Sequence, residues 1–148
     1  MSNKDAEFAN AILDKALEIK QTDLKVYTRR GAIMKFKWVV AIVLNRFGIS
    51  KSEIGRVLAR GRERIYDHTT VINWLSEGGN MWEVNYDFRS EYGEMMKELI
   101  SYGKSIRKEK SQEEIRGAIQ DFKLLIEQHR EMLRRQEELV KQLIEMIN

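Results

Sequence analysis

The sequence predicts an all-α protein: several short helices packed together, a helical linker, and a long amphipathic helix at the C-terminal end. Three observations point there. The 148 residues hold no proline and only nine glycines, so little interrupts a helix. Apolar residues recur at spacings of three and four along most of the chain. Ser or Thr-like caps followed three residues later by an acid occur at Ser2–Asp5, Ser50–Glu53 and Ser111–Glu114, the signature of a helix start.

Taken in order, Ser2 and Asp5 open a first helix with Phe8, Ile12, Ala16 and Ile19 on one stripe. Residues 21–31 are polar and basic and read as a loop. A mostly buried helix follows, carrying Ile33, Phe36, Val39, Val40, Val43, Leu44 and Phe47 and closing near Gly48; Trp38 and Ile42 widen its apolar surface. Ser50 caps a short helix with Ile54, Val57 and Leu58 inward. Asp67 caps the next, 68–77, with Val71, Trp74 and Leu75 inward and Gly78–Gly79 as its stop. Residues 81–88 are aromatic and read as a lid. A further helix is expected over 87–102, and a charged hinge over 103–110. From Ser111 onward Ile115, Ala118, Phe122, Leu125, His129, Met132, Gln136, Leu139, Leu143 and Met146 alternate at three and four, a helix about 50 Å long. Ile119, Ile126, Leu133, Val140 and Ile147 run beside this seam, so the face is wide enough for two neighbours, as in a bundle or higher oligomer. His129 and Gln136 are polar seam positions of the kind that fix register. The expected organisation is therefore a domain over 1–80, an aromatic and helical linker over 81–110, and an oligomerisation helix over 111–148.

The absence of cysteine excludes disulfides and thiolate metal sites, and no apolar run reaches the roughly 20 residues that span a bilayer. No signal-peptide pattern opens the chain, which reads as cytoplasmic. No glycine-rich phosphate loop is present, so no nucleotide is expected. The two histidines lack nearby ligand partners, so no metal or other cofactor is expected either. Asp67, His68 and Thr69 are adjacent on a helix and diverge by about 100° each, which prevents a nucleophilic relay. The expectation is a protein that is not an enzyme.

Charge is unevenly distributed. Residues 25–66 hold eleven basic and two acidic side chains, net +9, whereas residues 76–148 hold twelve and fifteen, net −3. Concentrated positive charge in a folding segment suits a polyanion. The tandem helices 51–59 and 68–77 then read as a helix-turn-helix with a long turn. His68, Thr69 and Thr70 at the start of the second helix, with Asp67 and Asn73, offer groups suited to base edges in a major groove. Arg29, Arg30, Lys35, Lys37, Lys51, Arg56, Arg60, Arg62 and Arg64 are the candidate phosphate contacts.

The stretch Ser50-Lys51-Ser52-Glu53-Ile54-Gly55, followed by Asp67-His68-Thr69-Thr70-Val71, resembles the C-terminal DNA-binding domain of the bacterial chromosomal replication initiator, the DnaA type. The resemblance covers about residues 30–77. It implies that Asp67, His68, Thr69 and Thr70 enter the major groove of a recognition box, with Lys35 or Lys37 near the place where the family sets a minor-groove arginine. Gly55 and Asp67 are separated by eleven residues, several more than in the family pattern, so the turn carries a basic insertion. The initiator's ATPase module is absent from these 148 residues.

The combined expectation is an oligomeric, sequence-specific double-stranded DNA-binding protein with a role in regulation or replication. It would assemble through Ile115, Phe122, Leu125, His129, Met132, Gln136, Leu139 and Leu143. Two alternatives share the architecture: a phage small terminase subunit that recognises DNA for packaging, and a helical scaffold that binds no DNA. The scaffold predicts a dispersed basic surface with Thr69 and Thr70 packed inward, whereas DNA reading requires both threonines exposed beside Arg60, Arg62 and Arg64.

Overall fold

The computed structural model describes residues 3–21 and 30–148, and every regular element among them is a helix: α1 (Asn3–Ile19), α2 (Arg30–Arg46), α3 (Lys51–Leu58), α4 (His68–Val84) and α5 (Tyr86–Ile147). The fold is all-α. Two compact units divide the chain, residues 1–106 and 107–148.

In the first unit, α1 buries Phe8, Ile12 and Ala16 of the stripe its periodicity predicts, together with Ala9 and Leu13, and Ile19 is half-buried at its end. Ser2, the expected cap, lies outside the described residues. Helix α2 supplies the centre of the core, with Phe36, Val39, Val40, Ala41, Val43 and Leu44 fully buried. Its end is fixed by Gly48, which takes a positive φ of 80°. Gly48 N–H donates to the Asn45 carbonyl at 3.0 Å and Ile49 N–H to the Leu44 carbonyl at 3.1 Å. Ile49 and Leu44, both buried, accompany this paired closure, as expected for a helix ended by a left-handed glycine. Helix α3 starts where its cap predicts, with the Ser50 hydroxyl accepting from Glu53 N–H at 3.2 Å. It buries Ile54, Val57 and Leu58.

Helix α4 corrects the sequence reading. Gly78 and Gly79 do not stop it; it continues to Val84. Gly78 is buried against α2, where a Cβ would approach the Trp38 Cβ to 2.9 Å. The glycine lets two helices come close, which a local reading of a Gly-Gly pair as a helix stop does not reveal. Residues 81–88 consequently form no lid. They end α4 and, after a single break at Asn85, begin α5, whose Phe88 N–H is capped by the Asn85 side-chain oxygen at 3.0 Å.

The segment expected as a linker belongs largely to the core. Phe88, Tyr92, Met95 and Leu99 are buried, and Phe88 meets Trp38 and Trp82 edge-on at 6.1 and 5.6 Å. Gly103 packs under the Phe47 ring. The expected hinge at 103–110 is helical throughout, and Ser111 with Glu114 lies inside α5 rather than at a helix start. Capping residues within a continuous helix simply face solvent. In the second unit, the seam residues Ile115, Phe122, Leu125, Met132, Leu139 and Leu143 are all exposed on the single chain, as are His129 and Gln136.

Candidate nucleic-acid interface

The candidate interface is built from α3, the connection 59–67 and the first turns of α4. Asp67 sits in extended backbone and its carboxylate accepts from Thr70 N–H at 2.7 Å, satisfying one of the free N–H groups at the helix start. Backbone and side-chain hydrogen bonds from Thr70 hold its pKa below the ordinary carboxylate value, aided by Thr69 N–H and the neighbouring His68. His68, Thr69 and Asn73 are exposed and Thr70 is half-buried.

Two close approaches hold the connection against the helices. Tyr66 N–H donates to the Gly55 carbonyl at 3.3 Å. A Cβ at position 55 would run into the Tyr66 carbonyl oxygen, so this position requires glycine. The Tyr66 ring then packs edge-on against Trp74 of α4 at 4.6 Å. The left-handed turn at Gly61, φ 84°, reverses the chain after α3.

The basic side chains separate into two sets. Arg62 lies over the Tyr66 ring, 4.1 Å from its centroid, beside the start of α4. Arg64 is exposed, as is Arg56, whose guanidinium is 3.7 Å from the Glu53 carboxylate; Lys35 and Lys51 are half-buried. Two others are committed to the fold, against expectation. Lys37 is 7% exposed; its ammonium donates to the Tyr66 hydroxyl and sits over the Tyr66 and Trp74 rings at 4.5 and 5.9 Å. Arg60 is ion-paired with Asp14 and donates to the Asn10 side-chain oxygen at 2.7 Å, tying the connection to α1. Lys37 is buried against those rings and Arg60 is held in a forked pair, so both are engaged in packing before any phosphate arrives, whereas Arg62 lies over one ring face and stays exposed. Arg29 lies outside the described residues, and Arg30 contributes only the first residue of α2.

Sequence reasoning passed over Tyr66, which connects Lys37, Arg62, Gly55 and Trp74, because a lone tyrosine in a charged turn carries no periodic signal. It also passed over Ile72, 41% exposed on α4. Three-residue spacing from Thr69 was the signal available for it.

Among the described residues no three acidic or histidine side chains gather as a metal site, and no helix is long and apolar enough to cross a membrane. No family model, curated protein or solved structure matches this chain.

Proposed function

We propose that this chain is a self-assembling protein that reads double-stranded DNA with the start of α4, in the manner of the replication-initiator domain that Ser50–Gly55 and Asp67–Val71 resemble. The observation that carries the reading is the exposure of His68, Thr69 and Asn73 on a helix start whose cap is already satisfied by Asp67. Polar side chains left free of the fold are available to base edges. Of the two threonines that separate this reading from a non-binding scaffold, Thr69 is exposed and supports DNA reading, while Thr70 is half-buried and Arg60 is paired with Asp14. Arg62, braced on Tyr66, and Arg64 supply charge next to that helix and act on phosphate, while α3 crosses the backbone. The exposed apolar stripe of residues 107–148 supports assembly of several copies, and several reading heads on one particle raise affinity for repeated sites. The role is DNA binding in regulation or replication, without catalysis.

Selection of bound duplexes from a random pool tests the reading. Arg62→Ala with Arg64→Ala should weaken selected and scrambled duplexes by similar factors and flatten the salt dependence. Thr69→Ala and His68→Ala should instead lower the selected-to-scrambled ratio, each lost base contact being worth roughly 1–3 kcal/mol of discrimination. Absence of salt-dependent duplex binding by the full chain would sink the proposal.

A further inference from the structure

The exposed face of α4 has a composition of its own. Successive residues of a helix turn by about 100°, so Thr69, Ile72, Asn73, Ser76 and Asn80 fall within about 100° of one another on one side. All five except Ile72 are short, neutral and polar, and none is Lys or Arg. Every one of them except Ile72 is also of a type that solvates easily. Ile72 remains exposed at 41% while its neighbours Val71 and Trp74 are buried. The core therefore does not account for its side chain, and the one charged residue in the same arc, Glu83 near the end of the helix, is acidic and does not make this a phosphate-binding face.

We infer that Ile72 is a specificity-determining residue that packs against the 5-methyl group of a thymine in the major groove. The inference rests on the DNA-reading function proposed for α4. A thymine methyl is the one apolar group on a base-pair edge in the major groove, and a branched aliphatic side chain is its complement. Ile72 lies about 4.5 Å further along the helix axis than Thr69. The two side chains thus address neighbouring base pairs, Thr69 by its hydroxyl and methyl, Ile72 by apolar contact alone. A face of amides and hydroxyls fits base edges that donate and accept; the single aliphatic group adds a requirement that hydrogen bonding cannot express.

The test uses the full chain and the duplex recovered by selection, with each thymine replaced singly by deoxyuridine, which removes the methyl and nothing else. For the wild type, one such replacement should weaken binding about fourfold, the effect of one buried methyl-sized group. Ile72→Ala should bind the thymine and uracil duplexes equally at that position, while Thr69→Ala keeps the difference there. Ile72→Gln, of similar length with an amide end, should move the preference at that pair towards adenine. Circular dichroism of the variants should match the wild type, since Ile72 is not in the core. Salt-dependent, selective binding that ignores every uracil replacement, or an Ile72→Ala protein with the wild-type penalty at every position, overturns the inference and leaves the DNA reading standing. Failure of the wild type to bind any duplex overturns both.

Discussion

Asp67 joins local structure to the proposed reading through one carboxylate. Its charge is favoured in the folded state because Thr70 donates to it from the helix start. A folded pKa held below the ordinary 3.8 means that the stabilisation is complete above that value and is lost as the pH falls through the lower folded one. Asp67→Asn keeps a cap but removes the charge. The melting-temperature gap between wild type and Asp67→Asn should therefore be open above the ordinary carboxylate value and narrow as the pH falls below it. A gap constant across that range would show that the charge does not stabilise α4. Both the caps at Ser50 and Asp67 were legible in the sequence, because a cap is a contact three residues long. The fates of Lys37 and Arg60 were not. Each looks like its basic neighbours in the sequence, and what removes it from the phosphate set is a partner far along the chain, Tyr66 in one case and Asp14 in the other.

At the scale of elements, Gly78 and Gly79 of α4 separate backbone propensity from packing. Glycine inside a helix costs roughly 1 kcal/mol relative to alanine. At Gly79 a Cβ meets nothing within 4 Å, so Gly79→Ala should gain up to about 1 kcal/mol. At Gly78 the same methyl would press on the Trp38 Cβ, close to the α2 backbone and unable to swing away. Overpacking of this kind costs typically about 1–3 kcal/mol, which exceeds the propensity gain. Gly78→Ala should thus lower the urea midpoint and Gly79→Ala raise it, with unchanged slopes. Midpoints moving in the same direction would mean that the α2–α4 approach is not tight. The same pair shows where periodicity stops being informative. The apolar stripes of α1 and α2 mapped onto buried faces because burial follows helical repeat, whereas Gly78–Gly79 has one sequence signal for two outcomes, a helix stop or a close crossing. Once the stop is removed, the aromatic residues 81–88 pass from a lid into the α4–α5 corner, and Phe88 and Tyr92 join the core.

For the whole molecule, the decisive feature is what the second unit leaves exposed. Fourteen large apolar side chains between Ile115 and Ile147 are at least about half exposed, far more than the scattered apolar residues a monomer normally shows. Twelve of them lie on one broad stripe, the seam Ile115–Met146 and the parallel row Ile119, Ile126, Leu133, Val140 and Ile147, with Leu124 and Ile144 outside those rows, so one neighbouring helix would cover only part of it. Burying a side chain of this size is worth roughly 1.5–3 kcal/mol, and a few per chain suffice to offset the entropy lost on association. The full chain should therefore sediment as an oligomer, with more than two copies favoured by the width of the stripe. Leu125→Glu with Leu139→Glu sets two buried carboxylates in every copy of that interface, a penalty association cannot absorb. The double variant should sediment as a monomer yet retain salt-dependent binding to a single duplex site, while its advantage on repeated sites disappears. Wild-type sedimentation by the double variant would move assembly away from residues 107–148; loss of single-site binding along with the oligomer would show that DNA reading needs contacts between copies, and not only the start of α4 in each one.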